Sequence, residues 1–248
     1  MTEWNNGQPP DVVWANAGSS HPHLFIDTPL EIIHSQMNTN YWAAAYLAHA
    51  TLKSWLKPAS PKDSSAGRLP KPRHFIVTSS AAALAGLAGY GAYAPAKAAM
   101  RSLADTLRSE VNLYNGYRAA NSSKGPAAEV KIHCIIPGTI ISPGLEQENL
   151  VKHPVTKILE EGDPKQSEDE VAAAAVKGLE KGGYLIGTTM LMELMRVSAL
   201  GGSPRNGLIG LRDTMLGWIG MLAWLVIGPD MEGKVYSYGK KNEVKLPQ

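Results

Sequence analysis

The chain has 248 residues, of which 44% are hydrophobic and 19% charged, with a formal net charge of +2. That length holds one sizeable domain with ample core, and so small a charge excess argues against a nucleic-acid binder, which carries a clustered basic face. A single cysteine, Cys134, lies inside an apolar run; it excludes a disulfide framework, fits a reducing compartment and reads as a small buried hydrophobe.

The opening stretch MTEWNNGQPP is polar and lacks the basic start and apolar run of a secretory signal. Four apolar runs rich in Val and Ile then read as buried strands: DVVWANAG (11–18), HFIVTSS (74–80), VKIHCIIPG (130–138) and GYLIGTT (183–189). None alternates cleanly, as befits parallel strands covered on both faces. Helical patterns fill the intervals at 28–56, 94–115 and 167–181, the last opening on a capping box from Ser167 to Glu170. Strand alternating with helix predicts a doubly wound α/β fold with a parallel sheet.

The Pro-, Ser- and Lys-rich stretch 57–73 reads as a surface insertion, with Lys57, Lys62, Arg68, Lys71 and Arg73 in solvent. A second loop spans 118–129, and neither marks a domain boundary. Trp14, Trp42 and Trp55 are expected in the core. His21 and His23 have no carboxylate or thiolate partner nearby in sequence, so they read as polar loop residues and no metal is expected.

Ligands of open parallel sheets bind at the carboxyl ends of the strands. Here the first three strands end in Asn16-Ala17-Gly18, Ser79-Ser80 and Pro137-Gly138. After the second comes a small-residue run, AAALAGLAGYG, and then Tyr93 and Lys97. Pro95 fits only the first turn of a helix, so it fixes a start near Ala94 and puts Tyr93 and Lys97 on one face. An ammonium beside a phenol favours phenolate, as does a helix N-terminus, so Tyr93 is expected to titrate below the usual phenol range and to serve as an acid or base. Tyr236 and Lys240 repeat the spacing in a polar tail, with no strand before them and no helical pattern after, and are set aside.

These residues together, Asn16-Ala17-Gly18, Ser80, Tyr93 thirteen positions on, Lys97 and Pro137-Gly138, resemble the short-chain dehydrogenase/reductase family over roughly residues 11–190. The resemblance implies a Rossmann-like sheet with a nicotinamide cofactor, in a domain portion over 1–190 followed by an apolar extension and polar tail over 191–248. It implies that Tyr93 donates a proton to a substrate ketone, that Ser80 orients the same oxygen, and that Lys97 lowers the tyrosine pKa and holds the nicotinamide ribose. Asn40, in NTNYWAA, falls where the family places a fourth catalytic residue that supports a water chain, although Ala43 stands where glycine is common. Asn16, Ala17 and Gly18 would line the cofactor, and Pro137, Gly138 and Ser142 would flank its nicotinamide; Ser142 keeps the hydroxyl of the usual threonine.

The run PGTIISPGLEQEN (137–149) and the apolar extension are similar to a lipid-synthesis branch of the family. Members of that branch reduce a long-chain keto base with NADPH on the cytosolic side of the endoplasmic reticulum membrane. Two alternatives stay open: a reductase of another apolar ketone of steroid or retinoid type, and a non-catalytic fragment that binds lipid or a full-length subunit. A homo-oligomer also stays open.

The family's phosphate-cradling turn, Gly-x-x-x-Gly-x-Gly after the first strand, has no counterpart before Asp11. The expectation is a chain that starts at the fourth of seven strands, lacks the residues that choose NADP over NAD, is inactive alone, and exposes its first strand as a sheet edge. Gly86, Gly89 and Gly91 read as a flexible wall on the substrate side rather than as a phosphate loop. Finally, MLGWIGMLAWLVIG (215–228) has fourteen uncharged residues between Arg212-Asp213 and Pro229-Asp230, short of the ~20 that a spanning helix needs. It reads either as a membrane-embedded anchor with Trp218 and Trp224 at the headgroups or as a buried core or dimer helix.

Overall fold

The two central apolar runs become parallel strands buried on both faces, while the first forms an edge strand with Val12 and Trp14 exposed. The structure, a computed structural model, describes residues 9–59, 71–121, 124–207 and 209–242. Strands β1 (Val12–Ala15), β2 (Arg73–Thr78), β3 (Val130–Ile136) and β6 (Leu185–Gly187) form one parallel sheet in the order β1-β2-β3-β6. Two three-residue strands, β4 (Thr139–Ile141) and β5 (Lys165–Ser167), make a separate parallel pair that the sequence reading did not foresee.

The register lines up Ala15, Val77, Cys134 and Leu185 across all four strands, each buried on one face of the sheet. Against that face pack α2 (Ala43–Trp55), through Ala44, Ala48 and Leu52, and α3 (Ala94–Ala120), through Met100 and Ala104. The other face is smaller: Ile76, Ile135 and Ile186 meet Ala175 and Leu179 of α6 (Glu168–Glu180). The expected capping box is present, with the Ser167 and Glu170 side chains each bonded to the other's backbone N–H.

Three expectations fail here for packing reasons. Trp14 pairs with Ile76 on the α6 side but lies at the edge strand, and is 36% exposed. Trp42 is 42% exposed and stacks on Tyr46 instead of entering the core. Of the three, only Trp55 is a core residue, with its indole N–H donating to the Pro10 carbonyl at 2.9 Å. Arg73 is not solvated; it opens β2, buried, 3.8 Å from Asp11. Lys62 and Arg68 lie outside the described residues.

Helix α1 (Leu30–Gln36) runs through a π-helical stretch, Met37–Trp42, into α2. Helix α3 outruns the expected 94–115 to Ala120, and Asn115 staples it to β3 by exchanging hydrogen bonds with the Val130 N–H and carbonyl at 3.0 and 2.9 Å. After β3 come α4 (Pro143–Val151) and α5 (Pro154–Leu159), and after β6 come α7 (Met190–Ser198) and α8 (Leu211–Lys241).

Helix α8 corrects the reading of the apolar segment. Arg212, Asp213 and Pro229 do not bound it; all lie inside one 31-residue helix, long and apolar enough by length and composition to cross a membrane. The charge at Asp213 is tolerated because Arg196 of α7 grips it with two hydrogen bonds, at 2.7 and 3.0 Å, while the Asn206 N–H adds a third. Gly220 faces α7 so closely that a Cβ would stand 2.7 Å from that of Ser198. The opposite face is bare, with Trp218 66% and Leu225 71% exposed, so within this chain the segment is not a buried core helix.

Breaking a buried ion pair by removing one partner costs about 3–5 kcal/mol. Asp213→Ala leaves Arg196 buried with Glu193, 2.6 Å away, as its remaining partner. It is therefore expected to lower stability in denaturant unfolding by less than that full amount, and adding Glu193→Gln, which removes the second carboxylate, is expected to bring the loss into that range.

Candidate active site

The parallel register brings the carboxyl ends of β1, β2 and β3 to one rim, where a cavity of about 790 Å³ opens. Tyr93 is the residue that caps α3, Pro95 sits in its first turn, and the Lys97 N–H closes that turn onto the Tyr93 carbonyl at 3.2 Å. Tyr93, Lys97 and Ser80 all line the cavity. Ser80 starts a short 3-10 turn whose Ala82 N–H donates to its hydroxyl at 3.2 Å, and the turn is tied across to β3 by the Ala81 N–H on the Pro137 carbonyl.

Lys97 is buried, with its ammonium donating to the Thr78 carbonyl at 3.0 Å and standing 5.6 Å from the Tyr93 ring centre. Burial brings its pKa down to about 8. Ser79, not singled out from the sequence as more than a strand end, holds the same turn by donating its hydroxyl to the Lys97 carbonyl at 2.8 Å.

Asn40 is fully buried on the π-helical stretch, where the extra residue of that turn aims it inward. Its amide donates to the Ser19 and Gln36 carbonyls, both at 2.9 Å, and accepts from the Ser19 N–H at 3.3 Å. Gly18 lies between: a Cβ there would stand 2.7 Å from the Asn40 carboxamide oxygen and 3.0 Å from the Lys97 ammonium. Only glycine lets the loop after β1 rest on both. Asn16 reaches the rim by another route, accepting from the Thr78 hydroxyl at 2.7 Å, which itself accepts from the Trp14 indole at 2.8 Å.

Of the sequence-derived site residues, Asn16, Gly18, Ser80, Tyr93, Lys97, Pro137, Gly138 and Ser142 thus share one cavity. Ala17 is exposed off its wall, and Asn40 stands behind Gly18. Tyr236 and Lys240 prove to be helical, stacked at 4.8 Å near the end of α8, but Tyr236 is exposed and off the cavity wall. The small-residue run is less flexible than expected at Gly89, whose φ of 97° and clearance from Thr156 leave no room for a side chain. Cys134 is buried, and burial pushes its thiol up to about 12, in keeping with a core residue.

The expected direction for Tyr93 is overturned. Burial pushes its phenol up to about 12, the nearby Glu148 charge adds to the rise, and a hydrogen bond with Ser80 only partly offsets it. The lysine does not reverse this, because it is itself desolvated and engaged with Thr78. At neutral pH the phenol therefore keeps its proton, the form that a proton donor needs.

Two further walls were not legible as site. One is polar: Glu160 accepts from the Tyr90 hydroxyl and the Lys152 ammonium, both at 2.6 Å, with Glu148 beside them. The other is apolar: Met192 and Met195 of α7 with Ile219, Ala223 and Ile227 of α8. The four-residue spacing of 219, 223 and 227 marks one helical face, but nothing in the sequence says that this face meets Tyr93.

Strand ends, a buried lysine one turn inside a helix and a tyrosine at its cap thus meet at one cavity on a Rossmann-like sheet. Residues 5–150 match the family model of the short chain dehydrogenases, and the chain belongs to that family. It is 49% identical, over its whole length and 66% of the relative's, to the 3-ketodihydrosphingosine reductase of Aspergillus fumigatus. To the 3-ketodihydrosphingosine reductase of Neurospora crassa it is 38% identical, across 96% of this chain and 61% of the relative. The chain thus spans between 61% and 66% of the length of these two proteins. Among solved structures, a short chain dehydrogenase/reductase from Burkholderia phymatum in complex with NAD superposes with a TM-score of 0.54 at 16% identity, covering 79% of this chain and 69% of that one.

The burial of Lys97 can be read directly. Its side-chain carbon resonances are expected to titrate near pH 8 rather than near the usual ~10.4. Between those two values the unfolded chain binds the proton that the folded chain has released, so this lysine makes stability rise with pH across that window. A Lys97 titration near the usual value would contradict the geometry.

Proposed function

We propose that the whole protein reduces the ketone of a long-chain keto base, 3-ketodihydrosphingosine, to the alcohol, with NADPH as reductant. The observation that carries this reading is one cavity with Ser80, Tyr93 and Lys97 at one end and the apolar faces of α7 and α8 at the other. A hydroxyl–phenol–ammonium set suits a carbonyl, and an apolar wall suits a hydrocarbon chain. The names of the two curated relatives support the same substrate.

In this mechanism the Tyr93 hydroxyl donates its proton to the ketone oxygen, and the Ser80 hydroxyl hydrogen-bonds that oxygen as it gains charge. The Lys97 ammonium, 5.6 Å from the ring, stabilises the phenolate that remains. Asn40 is assigned as a brace: both its amide hydrogens are spent on Ser19 and Gln36, so it holds Gly18 against Lys97 rather than donating to a water chain. A nicotinamide dinucleotide, when bound, supplies the hydride to the carbonyl carbon. The residues fit that group: among the described residues Lys97 spends one ammonium hydrogen, on Thr78, which leaves two for ribose hydroxyls beside Tyr93. Asn16 and Gly18 would line the dinucleotide, with Ala17 off the cavity wall between them, and Pro137, Gly138 and Ser142 would flank the nicotinamide.

The bare face of α8 is assigned to a membrane surface, on the cytosolic side of the endoplasmic reticulum. The helix is held to α7 along one side, so it suits an in-plane anchor better than a free span. A keto base held in the bilayer then meets the cavity across the same helix.

Tyr93→Phe, which removes only the hydroxyl, is expected to reduce ketone turnover by about 10²–10⁴-fold with cofactor affinity nearly unchanged in fluorescence titration. Turnover within tenfold of wild type would exclude the assignment. For the anchor, replacing Trp218, Leu222 and Leu225 together by Glu is expected to shift the protein from the microsomal pellet to the supernatant, since each burial contributes roughly 1.5–3 kcal/mol. Reduction of a water-soluble short-chain ketone should survive, because none of the three lines the cavity.

A further inference from the structure

We propose that Glu148 recognises a positive charge on the carbon next to the substrate carbonyl, so that the site selects an α-amino ketone over a plain one. The inference rests on the reductase reading above and adds the polar half of substrate recognition to it.

The polar wall beside Tyr93 carries two cations and four carboxylates; both cations and Glu160 are already committed, and Glu168 stands exposed at the start of α6. Lys97 donates to the Thr78 carbonyl. The Lys152 ammonium is buried against Glu160 at 2.6 Å, and the other oxygen of Glu160 accepts from Tyr90. Asp163 also lines the cavity, but burial and the Glu160 charge raise its pKa, so it holds its proton more readily than an ordinary carboxyl.

Glu148 is different. It projects from α4, is half-buried, lines the cavity, and among the described residues its carboxylate has neither an ion-pair nor a hydrogen-bond partner. It shares the cavity wall with Tyr90 and Tyr93, whose ring centres stand 5.7 Å apart, and its charge pushes both phenols upward. A carboxylate without a partner on a cavity wall is free to pair with a cation bound in that cavity.

The chemistry of the substrate suits this wall, which holds Ser80, Tyr93 and Glu148 together. When the carbonyl oxygen of an α-amino ketone sits between Ser80 and Tyr93, its ammonium is one carbon away. It then lies on the same wall as a carboxylate whose field reaches the tyrosine. Pairing has a second effect: neutralising Glu148 removes one of the influences that hold the Tyr93 proton, so the correct substrate strengthens the acid that acts on it. A plain ketone leaves the carboxylate unpaired and gains neither.

The test compares kcat/KM for a long-chain 2-amino-3-ketone with that for the matched ketone lacking the amine, using the full protein in mixed lipid–detergent micelles. Wild type is expected to prefer the amino ketone by about ten- to hundredfold, the usual worth of a hydrogen bond to a charged group. Glu148→Gln keeps the size and the half-exposed helical setting, and should abolish that preference, chiefly through KM for the amino ketone. Glu148→Asp, which keeps the charge on a shorter arm, should restore part of it. A preference unmoved by Glu148→Gln, or an equal restoration by Asp and Ala at this position, would overturn the inference while leaving the reductase reading intact. Wild-type protein that reduced neither ketone would overturn both.

Discussion

Everything at this site depends on keeping one ammonium out of water. Lys97 is almost wholly buried, and a buried charge must find acceptors or lose its proton. Among the described residues one carbonyl is supplied, that of Thr78, at the end of β2. That single bond requires β1 and β2 to end level, a loop after β1 thin enough to pass over the lysine, and a helix that starts where Pro95 starts it. Gly18 provides the thin loop, and Asn40, turned inward by the π-helical stretch, fixes its height through Ser19. The incomplete solvation that remains shows as a lysine pKa near 8. It leaves an ammonium on the cavity wall that, among the described residues, bonds only to Thr78.

The cavity has two chemically distinct ends, and its apolar end is built by an element that also faces outward. Helix α8 presents Ile219, Ala223 and Ile227 to the cavity and Trp218, Leu222 and Leu225 to the surroundings. It can do both because it is riveted at its start by Arg196 on Asp213 and drawn close by Gly220. A helix held in that way forms a fixed wall, and in the proposed function it separates the bilayer from the reacting carbonyl by the width of one helix.

Much of the fold was legible because it follows from strong local rules. Val- and Ile-rich runs without alternation gave four parallel strands, and Pro95 set the start of α3 and with it the shared face of Tyr93 and Lys97. Ser167 and Glu170 formed the box that their spacing promised. What escaped was decided by three-dimensional neighbours. Trp14 has the composition of a core residue but the address of an edge strand, and Arg73 looked like loop charge although it opens a central strand. The Tyr93 pKa was read from its partner lysine alone, and burial, which sequence spacing does not register, set the opposite direction. Arg212, Asp213 and Pro229 looked like helix boundaries because the partner that neutralises Asp213 is 17 positions away on α7. Glu148 and the inner face of α8 reach the cavity only through the packing of α4, α7 and α8, which no local pattern encodes.

The central claim is that a carbonyl carbon is reduced at Tyr93 by a nicotinamide cofactor while its carbon chain lies along α8. The most direct measurement is the fate of a deuterium label placed at the transferable position of the cofactor, followed by mass spectrometry after turnover of a long-chain ketone by the full protein. The account predicts one deuterium per product molecule, on the carbinol carbon and in a single stereochemical configuration. Product formed without the label, label lost to solvent, or equal amounts of both configurations would contradict a substrate held in one orientation between Tyr93 and α8.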